Sequence, residues 1–135
     1  MKAGLRARID RRRLRRVARA ALLSEGCWGS FELGLLITDD QHMRRLHSRY
    51  LGVRSTTDVL AFPGEAKSPS RLHRLGDVVI SYPQARRQSR ALGHSVAPEL
   101  DLLLVHGVLH LLGYRDGTPA ERHTMGRRQG HILGE

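Results

Sequence analysis

The run from Leu100 to Leu112, LDLLLVHGVLHLL, constrains this chain more than any other segment, because it is apolar almost all the way round a helix. A helix without a polar face is normally buried at the centre of a domain. The run is too short for a membrane span and contains Asp101, His106 and His110. The sequence therefore predicts a central buried helix on which the other elements pack.

The two histidines of this run have the spacing of metal ligands. His106 and His110 are four positions apart, so on a helix their side chains lie on one face, one turn apart. Gly113 allows the helix to end in a left-handed conformation and the chain to fold back. Asp116, six residues after His110, can then reach the same ion. We predict one Zn²⁺ per chain, bound by His106, His110 and Asp116.

The same spacing occurs in the metzincin signature H-E-x-x-H-x-x-G-x-x-H, with two differences. Gly107 stands where the proteases have the glutamate that acts as general base, which disfavours a metalloprotease-like hydrolase. Asp116 stands where they have a third histidine. Two histidines and one carboxylate still form a catalytic zinc set with a fourth position open for water.

An alternative interpretation is structural, because a single histidine on an apolar helix is more often a hydrogen-bonded core residue. The pair, followed by a glycine and a carboxylate, favours the metal site. If Asp116 is not a ligand, His123 and His131 in the last predicted helix are alternative third ligands. The remaining histidines show no ligand spacing: His42, His47, His73 and His94.

The rest of the chain alternates between predicted strands and helices. Strands are predicted at 31–37, 57–62 and 75–81, with a further strand at 5–9. Helices are predicted at 10–24, 39–50, 83–93 and 118–133. We therefore expect an α+β fold, in which a small mixed sheet of about four strands packs with helices. At 135 residues the chain is expected to form a single domain, 1–135.

Basic side chains are concentrated in the first predicted helix. Residues 2–19 carry nine cations and one anion, whereas the rest of the chain has 14 cations and 12 anions. The segment is interpreted as a solvated helix face, as an RNA-binding surface or, less favourably, as a mitochondrial transit peptide. Removing it as a transit peptide would leave an unusually small domain. The candidate RNA-binding residues are Arg12, Arg15, Arg16 and Arg19.

The composition of the chain restricts the classes of partner that we expect. A formal charge of +10 favours a polyanionic partner, and 4% aromatic residues disfavour a base-stacking sheet of the RNA-recognition-motif type. One cysteine, Cys27, excludes an intramolecular disulfide framework and a cysteine-rich zinc finger. The single cysteine also makes a cytoplasmic location the expected one. No apolar segment follows the basic stretch, so a secretory signal is excluded. Neither a membrane partner nor a small-molecule organic cofactor is expected.

Three motifs resemble those of a known family. HGVLHLLGYRD, at 106–116, resembles the motif H-G-x-L-H-L-x-G-Y-D-H of the YbeY family of bacterial endoribonucleases and rRNA maturation factors. TTDVLAFP at 56–63 is similar to the family's T-D-V-L-S-F-P, and LGDVVIS at 75–81 is similar to its G-D-I-V-I strand. Glu121, Met125 and Gln129 are in register with its C-terminal helix. The resemblance covers roughly residues 31–133.

The resemblance implies a zinc-dependent, single-strand-specific endoribonuclease that acts in 16S rRNA 3′-end maturation and ribosome quality control, with rRNA and the small ribosomal subunit as partners. By position, His106 and His110 are the first two zinc ligands, and Asp116 stands at the third. A non-catalytic ribosome-assembly or RNA-binding factor with a structural metal site is the alternative.

The chain departs from the family pattern at two positions. Arg115 stands where the motif has Asp, and Leu51 stands where the family has an arginine. Cleavage of a phosphodiester gains from a cation directed at the charge that develops on phosphate. Arg54 and Arg49 are the candidate catalytic residues that replace the missing arginine, and solvated loop arginines are the alternative interpretation of both.

Overall fold

The computed structural model describes residues 9–49, 59–64 and 73–134. This part of the chain contains five helices and three strands. In chain order they are α1 (Arg11–Ser24), β1 (Phe31–Thr38), α2 (Asp40–Arg49), β2 (Val59–Pro63), β3 (His73–Ser81), α3 (Tyr82–Ala91), α4 (Val96–Leu111) and α5 (Pro119–Leu133).

The strands form one mixed sheet in the order β1-β3-β2, in which β1 runs parallel to β3 and β2 runs antiparallel to it. This confirms the predicted α+β class. The described residues form three strands, not about four. The predicted strand at 5–9 lies outside them except for Ile9, which is not in a strand and packs against the core just before α1.

Helices cover both faces of the sheet. Because side chains alternate along a strand, Val78 and Ile80 of β3 point into the main core, whereas Val79 points to the other face. The main core contains residues of α1, α3, α4 and α5, and α4 lies at its centre. On the opposite face Met43 of α2 packs with Val79 and Leu60.

Most helix starts follow from their capping residues. The side chain of Asp10 accepts a hydrogen bond from the Arg13 amide at 3.0 Å, and that of Thr118 accepts one from the Glu121 amide at 3.1 Å. The helix α4 begins at Val96, four residues before the predicted apolar run. Its first turn contains Pro98 and Glu99, which belong to the helix but not to the apolar pattern.

The basic helix α1 runs alongside α4 in the same direction. Near the start of α1, Arg13 donates to Asp101 of α4, with Nη2 at 2.7 Å from Oδ2. At its end, Glu25 accepts a hydrogen bond from the hydroxyl of Tyr114, just beyond α4. The carboxyl ends of both helices therefore lie at the same end of the domain. No helix in the described ranges is long and apolar enough to cross a membrane.

Candidate metal centre

The helix α4 is the buried helix that the sequence predicts, and its two histidines lie where it reaches the surface. Leu104, Val105, Val108 and Leu109 are fully enclosed. The side chains of His106 and His110 are 17% and 11% exposed. The apolar residues hold the helix against the sheet, so the backbone that carries the two imidazoles is fixed in place. The imidazoles themselves remain partly exposed to solvent.

Gly113 reverses the chain after α4 in the way the sequence predicts. Its φ of +102° lies in the region that favours glycine. Its amide donates to the His110 carbonyl at 3.0 Å, and the Tyr114 amide donates to the Leu109 carbonyl at 3.0 Å, so the last carbonyls of the helix are satisfied. The reversal brings Asp116 back over the face that carries the histidines.

The three predicted ligands converge. The Nε2 atoms of His106 and His110 are 3.0 Å apart, and Asp116 Oδ2 lies 3.4 Å from the first and 3.3 Å from the second. One ligand atom from each residue lies within 4.8 Å of the other two. Two imidazole nitrogens and one carboxylate oxygen can therefore hold a single metal ion.

The outer hydrogen bonds of the imidazoles show that this donor set fits a cation. His106 Nδ1 lies 2.7 Å from Gln129 Oε1, and His110 Nδ1 lies 3.0 Å from the Tyr114 carbonyl oxygen. Both partners are acceptors, so in the neutral rings both Nδ1 atoms carry the proton. Both Nε2 lone pairs then face each other and the Asp116 carboxylate, an arrangement that a cation between them stabilises.

The electrostatic environment keeps His110 in the form that binds metal. Burial, together with the nearby His106, lowers the pKa of the His110 imidazole, although Asp116 opposes this effect. A neutral imidazole offers the lone pair that a metal ion needs. The ring of His106 meets that of His110 edge-on, with centroids 4.6 Å apart.

Four residues that support the site are not among the site residues that the sequence predicts. Tyr114 and Gln129 orient the histidines, and Glu25 and Arg128 hold the same region from α1 and α5. Gln129 had a detectable signal, because it lies one helical turn after the buried Met125 and so shares its inward face. Glu25 had no detectable sequence signal, because its partners Tyr114 and Arg128 are 89 and 103 positions away in the chain.

The other candidate residues are distributed as follows. Arg12, Arg15, Arg16 and Arg19 are exposed on α1, opposite its buried Leu14 and Ala21. Their positions span about 100° of the helix circumference, so they form one stripe, called here the arginine stripe. His123 and His131 are exposed on α5 and do not belong to the cluster. Arg54 lies outside the described residues, and α2 ends at Arg49, whose side chain is not described.

The fold and the cluster together define a small α+β protein whose central helix carries two histidines that converge with an aspartate. Residues 5–135 match the family model of Endoribonuclease YbeY. The chain belongs to this family.

Two relatives and one solved structure show how close the similarity is. The chain is 44% identical over 128 residues to Endoribonuclease YbeY of Moorella thermoacetica, covering 89% of this chain and 82% of the relative. It is 40% identical over 130 residues to Endoribonuclease YbeY of Thermobifida fusca, covering 92% and 84%. The solution structure of TM1509 from Thermotoga maritima shares the fold, with a TM-score of 0.56, 19% identity and coverage of 93% of this chain and 85% of that one.

Proposed function

We propose that this protein is a zinc-dependent endoribonuclease that cleaves single-stranded RNA in the cytoplasm during 16S rRNA 3′-end maturation and ribosome quality control. Membership of an endoribonuclease family supports the reaction class. The observation that carries the proposal is the convergence of His106, His110 and Asp116 within 4.8 Å.

The chemistry of the donors supports zinc over magnesium or calcium. Imidazole nitrogen suits zinc and similar transition metals, whereas the hard cations prefer sites made of oxygen. Two neutral histidines and one carboxylate leave a divalent ion with a site charge of +1. When bound, such an ion supplies a Lewis acid that polarises a phosphate oxygen and lowers the pKa of a water molecule.

The protein itself supplies the orientation of the ligands and the attraction of the substrate. Tyr114 and Gln129 hold the two rings with Nε2 directed at the site. Arg115 and Arg122 are exposed beside Asp116, and Arg122 Nη1 donates to the Asp116 carbonyl oxygen at 3.2 Å. Exposed cations so close to Asp116 in the chain or in space support the attraction of a phosphodiester to the metal centre. We propose the further cation of Arg54 or Arg49 as the one that stabilises the charge developing on phosphate.

The end of α1 adds a feature suited to an unpaired RNA strand. Trp28, the single tryptophan of the chain, is 74% exposed and lies three residues after Glu25, which contacts the loop of the metal centre. Trp28 offers an aromatic platform and the arginine stripe offers phosphate-binding cations, and these are the two elements that single-strand-binding surfaces combine. These two features support a single-stranded RNA as the partner, and rRNA of the small ribosomal subunit is the RNA that we propose.

Metal content and RNA cleavage, measured on the same preparations, test the proposal. We expect about one zinc per chain and cleavage of a single-stranded RNA that a chelator abolishes. His110→Ala removes one ligand and should abolish both. His123→Ala is the matched control, because this histidine is exposed on α5 outside the cluster, and it should change neither.

Each alternative result excludes part of the proposal. Bound zinc without any cleavage would leave an assembly factor with a structural metal site. Cleavage that persists in His110→Ala would indicate a contaminating ribonuclease and would remove the support for catalysis. A wild-type protein without metal would overturn the metal centre itself.

A further inference from the structure

Glu25, directly after α1, is an enclosed carboxylate whose two oxygens both accept hydrogen bonds. Its side chain is 8% exposed. Oε1 accepts a hydrogen bond from the Tyr114 hydroxyl, and Oε2 accepts one from Arg128 Nε at 2.9 Å and another from Arg128 Nη2. One buried carboxylate thus joins α1, the loop after α4 and the helix α5.

The position of Glu25 is unfavourable for local reasons. It caps the carboxyl end of α1, where the helix dipole is negative and a carboxylate is repelled. Arg128 compensates, since Nη2 also donates to Ser24 Oγ at 3.0 Å and to the Ser24 carbonyl at 3.3 Å. Tyr114 and Arg128, which stabilise the charge of Glu25, both belong to the region around the metal centre.

Each partner of Glu25 is linked to one metal-binding histidine. Tyr114 bonds Glu25 through its hydroxyl and His110 through its carbonyl, at 3.0 Å from Nδ1. Arg128 is followed in the chain by Gln129, whose Oε1 lies 2.7 Å from His106 Nδ1. A shift of the loop or a rotation of α5 would move one of these two acceptors away from its ring.

We propose that Glu25 is a positioning residue of the metal centre, which holds through Tyr114 and Arg128 the two acceptors that orient His110 and His106. Outer acceptors of this kind fix the tautomer and the ring orientation of ligating histidines, and their loss typically weakens metal binding by about 10- to 100-fold. Glu25 also links the arginine stripe to the metal centre, because it lies at the end of the same helix. This inference rests on the metal centre proposed above.

Zinc affinity, measured by competition with a chromophoric chelator, tests the inference without any assay of activity. Glu25→Gln keeps an acceptor for Tyr114 but loses the charge that holds Arg128, and Glu25→Ala removes both interactions. We expect zinc affinity to fall by up to about 10-fold in Glu25→Gln and by more in Glu25→Ala. The spectrum of the cobalt-substituted protein should change in the same order, since it reports ligand geometry.

A second pair between α1 and α4 provides the matched control. Asp101 is equally enclosed, with 9% of its side chain exposed, and accepts from Arg13 Nε at 2.9 Å. Within the described ranges, no side-chain hydrogen bond or ion pair joins either residue to the loop or to α5. Asp101→Asn should lower the melting temperature of the metal-free protein and leave zinc affinity and the cobalt spectrum unchanged.

The outcomes separate this inference from the proposed function. Unchanged zinc affinity in both Glu25 variants, or an equal loss in Asp101→Asn, would reduce Glu25 to a purely structural role. If Glu25→Ala does not fold, Tyr114→Phe still removes the hydrogen bond to Glu25 while keeping the carbonyl that bonds His110. It should weaken zinc binding by a smaller factor than Glu25→Gln does. Unchanged zinc affinity in Tyr114→Phe would contradict the proposal. A wild-type protein that binds no zinc would overturn both the centre and this role.

Discussion

Gly107 lies against Val78 so closely that a Cβ on Gly107 would be 2.6 Å from Val78 Cγ1 and 2.9 Å from Cγ2. Both residues are fully buried, so α4 crosses β3 here with no room for a side chain. The glutamate that zinc proteases have next to the first histidine would therefore clash with Val78 unless α4 or β3 moved. The Gly107 Cα faces the sheet, whereas the side chains of His106 and His110 face away from it.

Replacing Gly107 with alanine should destabilise the protein. Alanine favours a helix by about 1 kcal/mol over glycine, but overpacking a buried contact typically costs about 1–3 kcal/mol. We expect a net loss of up to about 2 kcal/mol in the free energy of unfolding, measured by urea denaturation of the metal-free protein.

The double variant Gly107→Ala/Val78→Ala isolates this contact. Val78→Ala removes both γ carbons that the new Cβ would meet, so in this background Gly107→Ala should be neutral or stabilising. An equal effect of Gly107→Ala in both backgrounds would show that the close approach does not determine the choice of glycine.

The helices and the convergence of His106, His110 and Asp116 could be predicted from local sequence signals. Asp10 and Thr118 mark helix starts. The spacing of His106, His110 and Gly113 brings side chains together only if the histidines lie on a helix that ends at the glycine and reverses the chain. The hydrogen bonds that orient the ligands could not be predicted in this way. They join parts of the chain that are brought together only by packing, as Glu25 and Tyr114 are.

The contact between Asp40 and β3 should make stability depend on acid pH. Ser81 Oγ donates to Asp40 Oδ1 at 2.6 Å, and Arg87 Nη2 donates to Oδ2 at 2.8 Å, and these bonds lower the pKa of the Asp40 carboxyl. A lowered pKa in the folded state means that the stabilisation is fully present above the unfolded pKa, about 3.9, and is lost as pH falls through the folded value.

Asp40→Asn is the variant that measures this effect. It should be less stable than wild type by about 1–2 kcal/mol at neutral pH, since charge-assisted hydrogen bonds are lost. The difference in urea midpoint between the two proteins should shrink as pH is lowered from about 5 towards the folded pKa of Asp40. A difference that stays constant over this range would show that the ionised form of Asp40 adds nothing to stability.

The arginine stripe should determine how RNA binding depends on salt. Changing Arg12, Arg15, Arg16 and Arg19 to glutamine keeps a good helix former and removes four exposed cations. For a single strand, the slope of log K against log salt should become shallower by about 0.7 for each phosphate that the variant no longer neutralises, and so by up to about 3. Zinc content should stay at the wild-type level.

Exposed arginines elsewhere serve as the control for the stripe. Arg90 on α3 and Arg127 on α5 are exposed and make no ion pair within the described ranges. The Arg90→Gln/Arg127→Gln variant removes two cations. Its salt-dependence slope should therefore be compared with that of the Arg12→Gln/Arg16→Gln variant, which removes two cations from the stripe. An equal loss of slope in the two pairs would mean that net charge alone, and not the stripe, attracts RNA.

Trp28 should report the bound strand directly, because it is the only tryptophan in the chain and is 74% exposed. Stacking of a base on its ring should quench its fluorescence when a single-stranded RNA is added. Base stacking contributes about 1–3 kcal/mol, so Trp28→Ala should weaken binding by about 5- to 150-fold. The melting temperature should stay near that of wild type, since little of the ring is buried.

Leu92→Ala is the control for the loss of an exposed apolar side chain. Leu92 is 68% exposed and follows α3, towards the start of α4 and away from its histidines. Its substitution should leave RNA affinity unchanged. Fluorescence that RNA does not quench, together with wild-type affinity in Trp28→Ala, would place the strand elsewhere on the surface. Quenching that is as strong with duplex RNA as with a single strand would contradict the preference for unpaired bases, because paired bases are already stacked on one another.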